Sequence, residues 1–286
     1  MKKENFLQFY KESECFVLTE DMISDDTELV VGNIDLPITT RCTLRCKHCA
    51  NLIPQYENAS DFSLDNILAG LNKFLKCIDL VVRVNVLGGE PMMHPQLAEI
   101  IEALNSSPKV YHTVLTTNGT VIPKNSRLYE ALQNPKNEVR ISEYAQCKKK
   151  SQELEERLRS NNVYYTIKKF GPNDFLWYDF GGFENRMKSS QCLEQQYKNC
   201  DVEWHSLLNG RLYPCPRAAH ATDIGLLPDN KKNYIDFFNE EKSLSELKAE
   251  LEDFIFRRKY FPACRLCDRG TDNCKQVLVA QQDLKE

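Results

Sequence analysis

Three cysteines stand close together in one short segment: Cys42, Cys46 and Cys49, in the spacing C-x₃-C-x₂-C. Three thiolates on one loop can hold three corners of an iron–sulfur cube and leave the fourth iron open to a small molecule. A structural zinc site takes four ligands. His48 lies between two of the cysteines, so a zinc site completed by His48 or by a distant residue is the alternative. A second set follows much later: Cys200-x₉-Gly210-x₄-Cys215, then Cys264-x₂-Cys267. Cys192 and Cys274 flank it as substitutes for any of the four. Spacing alone makes this second set a zinc ribbon or a group of buried thiols. Cys15, Cys77 and Cys147 are isolated and read as plain thiols.

The elements that position these residues follow from hydrophobic periodicity. Ile34 to Thr39 is a short strand, and the first cysteine loop comes directly after it. Ser63 caps a helix with Ile67, Leu68, Leu71, Phe74, Leu75 and Ile78 on one face. Leu80 to Leu87 is an apolar, β-branched strand that runs into Gly88-Gly89-Glu90-Pro91. Two glycines let a backbone approach a ligand closely, and Glu90 offers an acceptor for an ammonium group. Pro95 opens a helix carrying Leu97, Ile100, Ile101 and Leu104. Strands at Val110–Thr116, Glu138–Ser142 and Val163–Lys168 alternate with helices near Ser126–Gln133 and Ser151–Ser160.

Such alternation with short connections makes a parallel sheet. About five units are visible, too few for an eight-unit barrel before residue 170. The expected fold is α/β: a partial (β/α)₆-type parallel barrel, followed by a small α+β cysteine-rich domain. Every strand of a parallel sheet ends on the same rim. Cys42–Cys49, Gly88–Glu90, Asn118 and Ser142 all follow or close strands, so they should meet around one site. Past about Gly181 the pattern changes. Val202–Leu208, Asn209-Gly210 and Arg211–Tyr213 form a β-hairpin with an Asn-Gly turn. Ser243 and Glu246 form a capping box for a helix bearing Leu244, Leu247, Leu251, Phe254 and Ile255. The expected organisation is an N-terminal extension over 1–33, a core over 34–185 and the cysteine-rich domain over 186–286.

Composition excludes several classes. The chain has 286 residues, 12 cysteines and 42% hydrophobic residues, enough for an ordinary core. Its 37 basic and 41 acidic residues give a net charge of −4, so neither nucleic acid nor an anionic membrane is an expected partner. The longest apolar runs, about eight residues, fall short of the ~20 that a spanning helix needs. The first residues hold no apolar signal core. A reducing, cytoplasmic location is expected, where clustered cysteines bind metal.

C-x₃-C-x₂-C after the first strand, with Gly-Gly-Glu-Pro after the second, resembles the radical S-adenosylmethionine (radical SAM) superfamily over roughly residues 34–170. The resemblance implies that Cys42, Cys46 and Cys49 hold a 4Fe–4S cluster whose open iron is chelated by the amine and carboxylate of SAM. It implies that Gly88, Gly89 and Glu90, with Pro91 closing the motif, take the SAM amino group. It places His48 on the adenine, and Asn118 and Ser142 at the ribose or carboxylate. The reduced cluster would cleave SAM to methionine and a 5′-deoxyadenosyl radical, which takes a hydrogen atom from the substrate. An external donor such as flavodoxin or ferredoxin would supply the electron.

Behind such a core, the second cysteine set is similar to SPASM and Twitch auxiliary-cluster domains. No cysteine follows Cys274, so the shorter Twitch form with one auxiliary 4Fe–4S cluster fits, held by Cys200, Cys215, Cys264 and Cys267. Twitch dehydrogenases pass a substrate electron to that cluster, which implies oxidation of an alcohol to a carbonyl. Arg217 could bind a phosphate or hydroxyls, and His220 could take a proton. Trp177, Tyr178, Asp179, Glu143 and Tyr144 are pocket candidates. Three readings stand: an oxidoreductase on a hydroxylated small metabolite such as a sugar or aminocyclitol, a peptide maturase, and a non-catalytic zinc protein. The segment before the first strand is short for a peptide-docking domain, which favours the small molecule. Molybdenum-cofactor cyclases end in a Gly-Gly pair, whereas this chain ends in Leu284-Lys285-Glu286.

Overall fold

Runs of valine, isoleucine and leucine build a central sheet in the structure, a computed structural model that describes residues 29–202 and 204–283. Its parallel strands are β1 (Val30–Thr39), β2 (Leu80–Gly88), β3 (Val110–Thr117), β4 (Asn137–Tyr144) and β5 (Tyr165–Phe170). Each pairs in parallel with the next. The crossover helices are α1 (Leu64–Lys76), α2 (Leu97–Ser106), α3 (Ser126–Leu132) and α4 (Lys148–Ser160). Ser63 caps α1 by accepting from the Asn66 amide at 3.3 Å. Asp65 in the first turn and Lys73 and Lys76 in the last complement the helix dipole. Ile67, Leu71 and Phe74 are buried in the core with Ile34, Leu36 and Ile38 of β1.

Several boundaries differ from the sequence expectation, the fifth parallel strand for one running over Tyr165–Phe170 and not Val163–Lys168. β1 starts at Val30, so residues 30–33 belong to the sheet and not to an extension. Residues 1–28, with Cys15, lie outside the described residues. Pro95 does not open α2, which begins two residues later. The Gln96 amide donates to His94 Nδ1 at 3.1 Å, and this local bond holds a turn ahead of the helix.

The second half of the chain begins with β6 (Trp177–Asp179) and α5 (Ser190–Lys198). The hairpin β7 (His205–Leu208) and β8 (Arg211–Tyr213) follows, then α6 (Pro216–Asp223), β9 (Ile235–Asp236), α7 (Leu244–Glu252) and β10 (Lys275–Val277). Strand β10 pairs antiparallel with β6 in a separate ribbon. The Ser243–Glu246 capping box is present. Phe254 and Ile255 do not continue α7. They lie in a π turn over Asp253–Arg257, closed by the Arg258 amide on Asp253 O at 3.1 Å.

The hairpin does not stand apart from the core. β7 pairs in parallel with β1, with Ile34 opposite His205 and Asp35 opposite Ser206. The central sheet therefore runs β5-β4-β3-β2-β1-β7-β8-β9. Its sixth parallel strand comes from the segment expected to begin a second domain. An unpaired β1 edge would leave buried backbone groups unsatisfied, and β7 supplies their partners. Among the described residues the sheet is open, as a partial barrel is. Asn209 and Gly210 have φ of 46° and 77°, the two positive values that a type I′ turn requires.

Gly210 is also pressed against α1. A Cβ on Gly70 would come within 2.6 Å of Gly210 Cα, so helix and hairpin turn touch backbone to backbone. Phe74 and Phe237 meet edge to face beside this contact, their ring centres 5.8 Å apart. Gly70→Ala should raise helix propensity by about 1 kcal/mol, yet destabilise the chain by about 1–3 kcal/mol through overpacking. A urea midpoint that rises in the variant would disprove this packing.

Candidate active site

The first cysteine loop is anchored at its root. Thr39 Oγ1 donates to Asp61 Oδ1 at 2.7 Å, and Arg41 bonds both Asp61 oxygens at 3.0 and 2.7 Å. The glycine turn after β2 lies directly against this root. Gly89 N–H donates to Thr39 O at 2.8 Å, and Glu90 N–H to Arg41 O at 2.7 Å. A Cβ on Gly88 would meet Thr39 O at 2.3 Å, and one on Gly89 would meet Arg41 O at 2.1 Å. Gly88 also has a φ of 137°, which side-chain-bearing residues avoid.

Cys42, Cys46 and Cys49 face one cavity of about 430 Å³. Gly88, Gly89, Asn118, Ser142 and His48 line the same cavity, as do Tyr144, Trp177 and Tyr178. The strand rim thus brings together most of the residues expected to share a site. Asn118 Nδ2 points at the loop, 3.1 Å from Thr43 Oγ1 and 3.6 Å from Cys42 Sγ. His48 Nδ1 lies 3.8 Å from Asp179 Oδ1. Burial pushes the Cys42 thiol up to about 12 and the Cys46 thiol to about 11, with neighbouring thiols adding to both.

Glu90 and Pro91 are corrections. Both are buried, and neither lines the cavity. Glu90 accepts from Thr117 Oγ1 and the Asn118 amide, both at 2.8 Å, and from the Met92 amide at 3.1 Å. Its carboxylate ties the turn after β2 to the end of β3, and Gly88 and Gly89, not Glu90, line the cavity. Burial raises its pKa to about 7 against these three bonds. Glu143 also misses the cavity and accepts from Ser151 Oγ at 3.0 Å.

Asp35 is a cavity residue that the sequence reading missed. It sits on β1, buried, and lines the cavity that the cysteines face. Asn85 Nδ2 donates to it at 2.9 Å. Desolvation raises its pKa from 3.8 to about 7. Ser206, its partner in register on β7, has a buried hydroxyl with no bonding partner among the described residues. The available signal was a lone carboxylate inside the apolar run Ile34–Ile38.

Cys200, Cys215, Cys264 and Cys267 line a second, smaller cavity of about 140 Å³. Cys192 and Cys274 do not line it. Cys192 is exposed on α5, and Cys274 accepts from Arg269 at 3.7 Å. Burial raises the Cys200 and Cys215 thiols, and pushes Cys264 up to about 12. A single zinc needs its sulfurs within about 2.3 Å of one point. Among the described residues no group of three His, Cys, Asp or Glu side chains, in either cysteine set, is placed to hold a single metal ion. Four thiols spaced around one small cavity suit a larger body, such as a cubane.

Arg217 and Arg269 line this cavity too. Arg217 is not a free cation. It donates to Gly181 O at 2.6 Å and Gly182 O at 2.8 Å, and it lies over the Phe183 ring at 4.0 Å. Arg269, which sequence reasoning did not single out, stacks 3.4 Å from the Tyr178 ring centre and bonds Asp201. His220 lies outside both cavities. Tyr56 Oη sits 2.8 Å from its Nδ1, and full burial lowers its pKa to about 3, which makes it a poor base. Ala50, Phe180, Trp204 and Pro216 line both cavities, so the two sites share one wall.

The open parallel sheet thus carries a three-cysteine loop on its strand rim, and a second cavity lined by four thiols lies against it. Residues 36–142 match the Radical SAM superfamily, a match that implies SAM and a 4Fe–4S cluster as cofactors. Among curated relatives, a GTP 3′,8-cyclase of Helicobacter pylori is 34% identical over 107 residues, 36% of this chain and 32% of that protein. A GTP 3′,8-cyclase of Clostridium perfringens is 25% identical over 144 residues, 49% of this chain and 42% of that protein. The matched stretch thus spans well under half of those relatives. Among solved structures, BtrN in complex with AdoMet and 2-DOIA shares the fold, with a TM-score of 0.57 and 15% identity over 91% of this chain and 98% of that one. No helix among the described residues is long and apolar enough to cross a membrane.

Asp35 gives a pH test that needs no substrate. Its folded pKa, about 7, exceeds the unfolded 3.8, so the folded chain binds the proton more tightly. That stabilisation is complete below the unfolded value and lost as pH rises through about 7. Asp35→Asn should therefore raise Tm relative to the parent chain at pH 8 and do so much less at pH 5. Equal gains at both pH values would contradict a raised Asp35 pKa.

Proposed function

We propose that this radical SAM enzyme dehydrogenates a hydroxylated small molecule, such as a sugar or aminocyclitol, to the carbonyl. In this reading Cys42, Cys46 and Cys49 hold the SAM-binding 4Fe–4S cluster. Cys200, Cys215, Cys264 and Cys267 hold an auxiliary one. Residues 34–185 and 186–286 divide by which site they furnish, although both contribute to one sheet. An external donor such as flavodoxin or ferredoxin supplies the reducing electron.

The observation that carries this reading is the wall common to the two cavities. Ala50, Phe180, Trp204 and Pro216 line both cavities. A substrate against that wall lies beside both thiol sets. When bound, the cluster with SAM supplies a carbon radical that removes a substrate hydrogen atom, and the auxiliary cluster supplies a one-electron sink.

The chain's own residues do the rest. Gly88 and Gly89 let the backbone approach the ligand. Asn118, Ser142 and His48 surround it, and the aromatic side chains of Tyr144, Trp177 and Tyr178 limit access of water. Oxidation of a carbinol to a carbonyl releases one hydrogen atom from carbon, one proton from oxygen and one electron. Asp35, ionised above about pH 7, is the buried carboxylate in the cavity that can accept that proton. The GTP 3′,8-cyclase relatives match this chain over under half of their own length, so their activity is not carried over to it.

Iron and zinc content after anaerobic purification tests the assignment. About eight irons per chain are expected from two cubanes, with little zinc. Replacing Cys42, Cys46 and Cys49 together by Ala should leave about four irons and no 5′-deoxyadenosine. Cys264→Ala should also leave about four irons but keep reductive SAM cleavage, while Cys192→Ala and Cys274→Ala keep the full complement. Zinc without iron would refute the enzymatic reading.

A screen of polyols and aminocyclitols should then find a carbonyl product formed with 5′-deoxyadenosine. Its rate should rise with pH through about 7. Asp35→Asn should lower it by about 10²–10⁴-fold while substrate-free SAM cleavage persists. An unaltered pH profile in that variant would remove Asp35 as the base.

A further inference from the structure

The first cysteine loop is held from a distant part of the chain. Strand β10 pairs with β6, and the chain then runs on as a strap across the loop. The Val279 amide donates to Asp174 O at 2.9 Å, and Gln146 Nε2 donates to Ala280 O at 3.2 Å. At the loop itself, Lys47 N–H donates to Gln281 O at 2.8 Å and Asp283 N–H to Arg45 O at 2.6 Å. These two backbone bonds bracket Cys46, which forms an antiparallel bridge with Gln282.

Between them lies one side-chain contact. Gln282 Nε2 is 3.3 Å from Cys46 Sγ and 2.7 Å from Ala280 O. Gln282 Oε1 accepts from the Arg45 amide at 2.8 Å. These partners fix the amide orientation, because a flipped amide would set oxygen against Ala280 O and NH₂ against the Arg45 N–H. The donor end is therefore the one aimed at sulfur.

We propose that Gln282 is a positioning residue for the SAM-binding cluster, whose amide N–H···S bond to Cys46 raises the reduction potential of that cluster relative to an unbonded thiolate. The inference rests on the proposed ligation by Cys42, Cys46 and Cys49. Hydrogen bonds to cluster sulfurs withdraw electron density and favour the reduced form. Strap and loop meet only through tertiary structure, 236 positions apart in the Gln282–Cys46 pair.

The test is an EPR-monitored redox titration of the full-length chain, read at both clusters. Gln282→Leu removes the N–H donor but leaves the backbone bonds of Gln281 and Asp283. Its SAM-site midpoint should move to lower potential, with iron content and the auxiliary midpoint unchanged. Gln281→Ala, which bonds Lys47 only through its carbonyl, should leave both midpoints in place. An unmoved SAM-site midpoint in Gln282→Leu overturns the inference alone. So does an equal shift in Gln281→Ala, which would mark a general strap effect. Loss of SAM-site iron in Gln282→Leu would make Gln282 a structural clasp and overturn it as well. Absence of that cluster from the parent chain overturns the ligand assignment, and the inference with it.

Discussion

Two backbone hydrogen bonds, Gly89 N–H to Thr39 O and Glu90 N–H to Arg41 O, press the end of β2 against the start of the cysteine loop. Glycine is required there because any Cβ would run into a carbonyl oxygen at little more than 2 Å. The contact places three thiols beside a glycine turn that lines the same cavity. Glu90 locks it from behind by accepting from β3 residues Thr117 and from Asn118 just beyond that strand. The ends of three strands are thereby joined into one rim.

β1 carries a second burden. It ends in the cysteine loop, holds Asp35 in the cavity, and offers its free edge to β7. That last pairing draws the second half of the molecule onto the core. Gly70 of α1 and Gly210 of the hairpin then meet without side chains between them. The four-thiol cavity then shares Phe180, Trp204 and Pro216 with the first site. Proximity of the two thiol sets follows from a strand pairing and a close helix–turn contact, not from closeness along the chain.

Much of this was legible in residue spacing. The α/β alternation, the caps at Ser63 and Ser243, and the Asn-Gly hairpin are local, so short windows of sequence reveal them. Cys200, Cys215, Cys264 and Cys267 line the second cavity, and Cys192 and Cys274 do not. Long-range matters were not legible in the same way. From sequence Glu90 reads as a ligand-facing acceptor, and only the approach of β3 shows its oxygens already engaged. Arg217 and His220 had suitable chemistry, but burial and the Gly181 and Gly182 carbonyls decide what they do.

Sequence by itself determined which residues can bind metal and which turns and helices carry them, because ligand type, spacing and capping are properties of neighbouring positions. Tertiary structure alone decided that the hairpin joins the core sheet, that Asp35 becomes a buried carboxylate titrating near 7, and that Gln282 reaches Cys46. The physical reason is common to all three. Desolvation, edge pairing and a hydrogen bond across 236 positions depend on what the fold brings together, and none of them leaves a mark on local sequence.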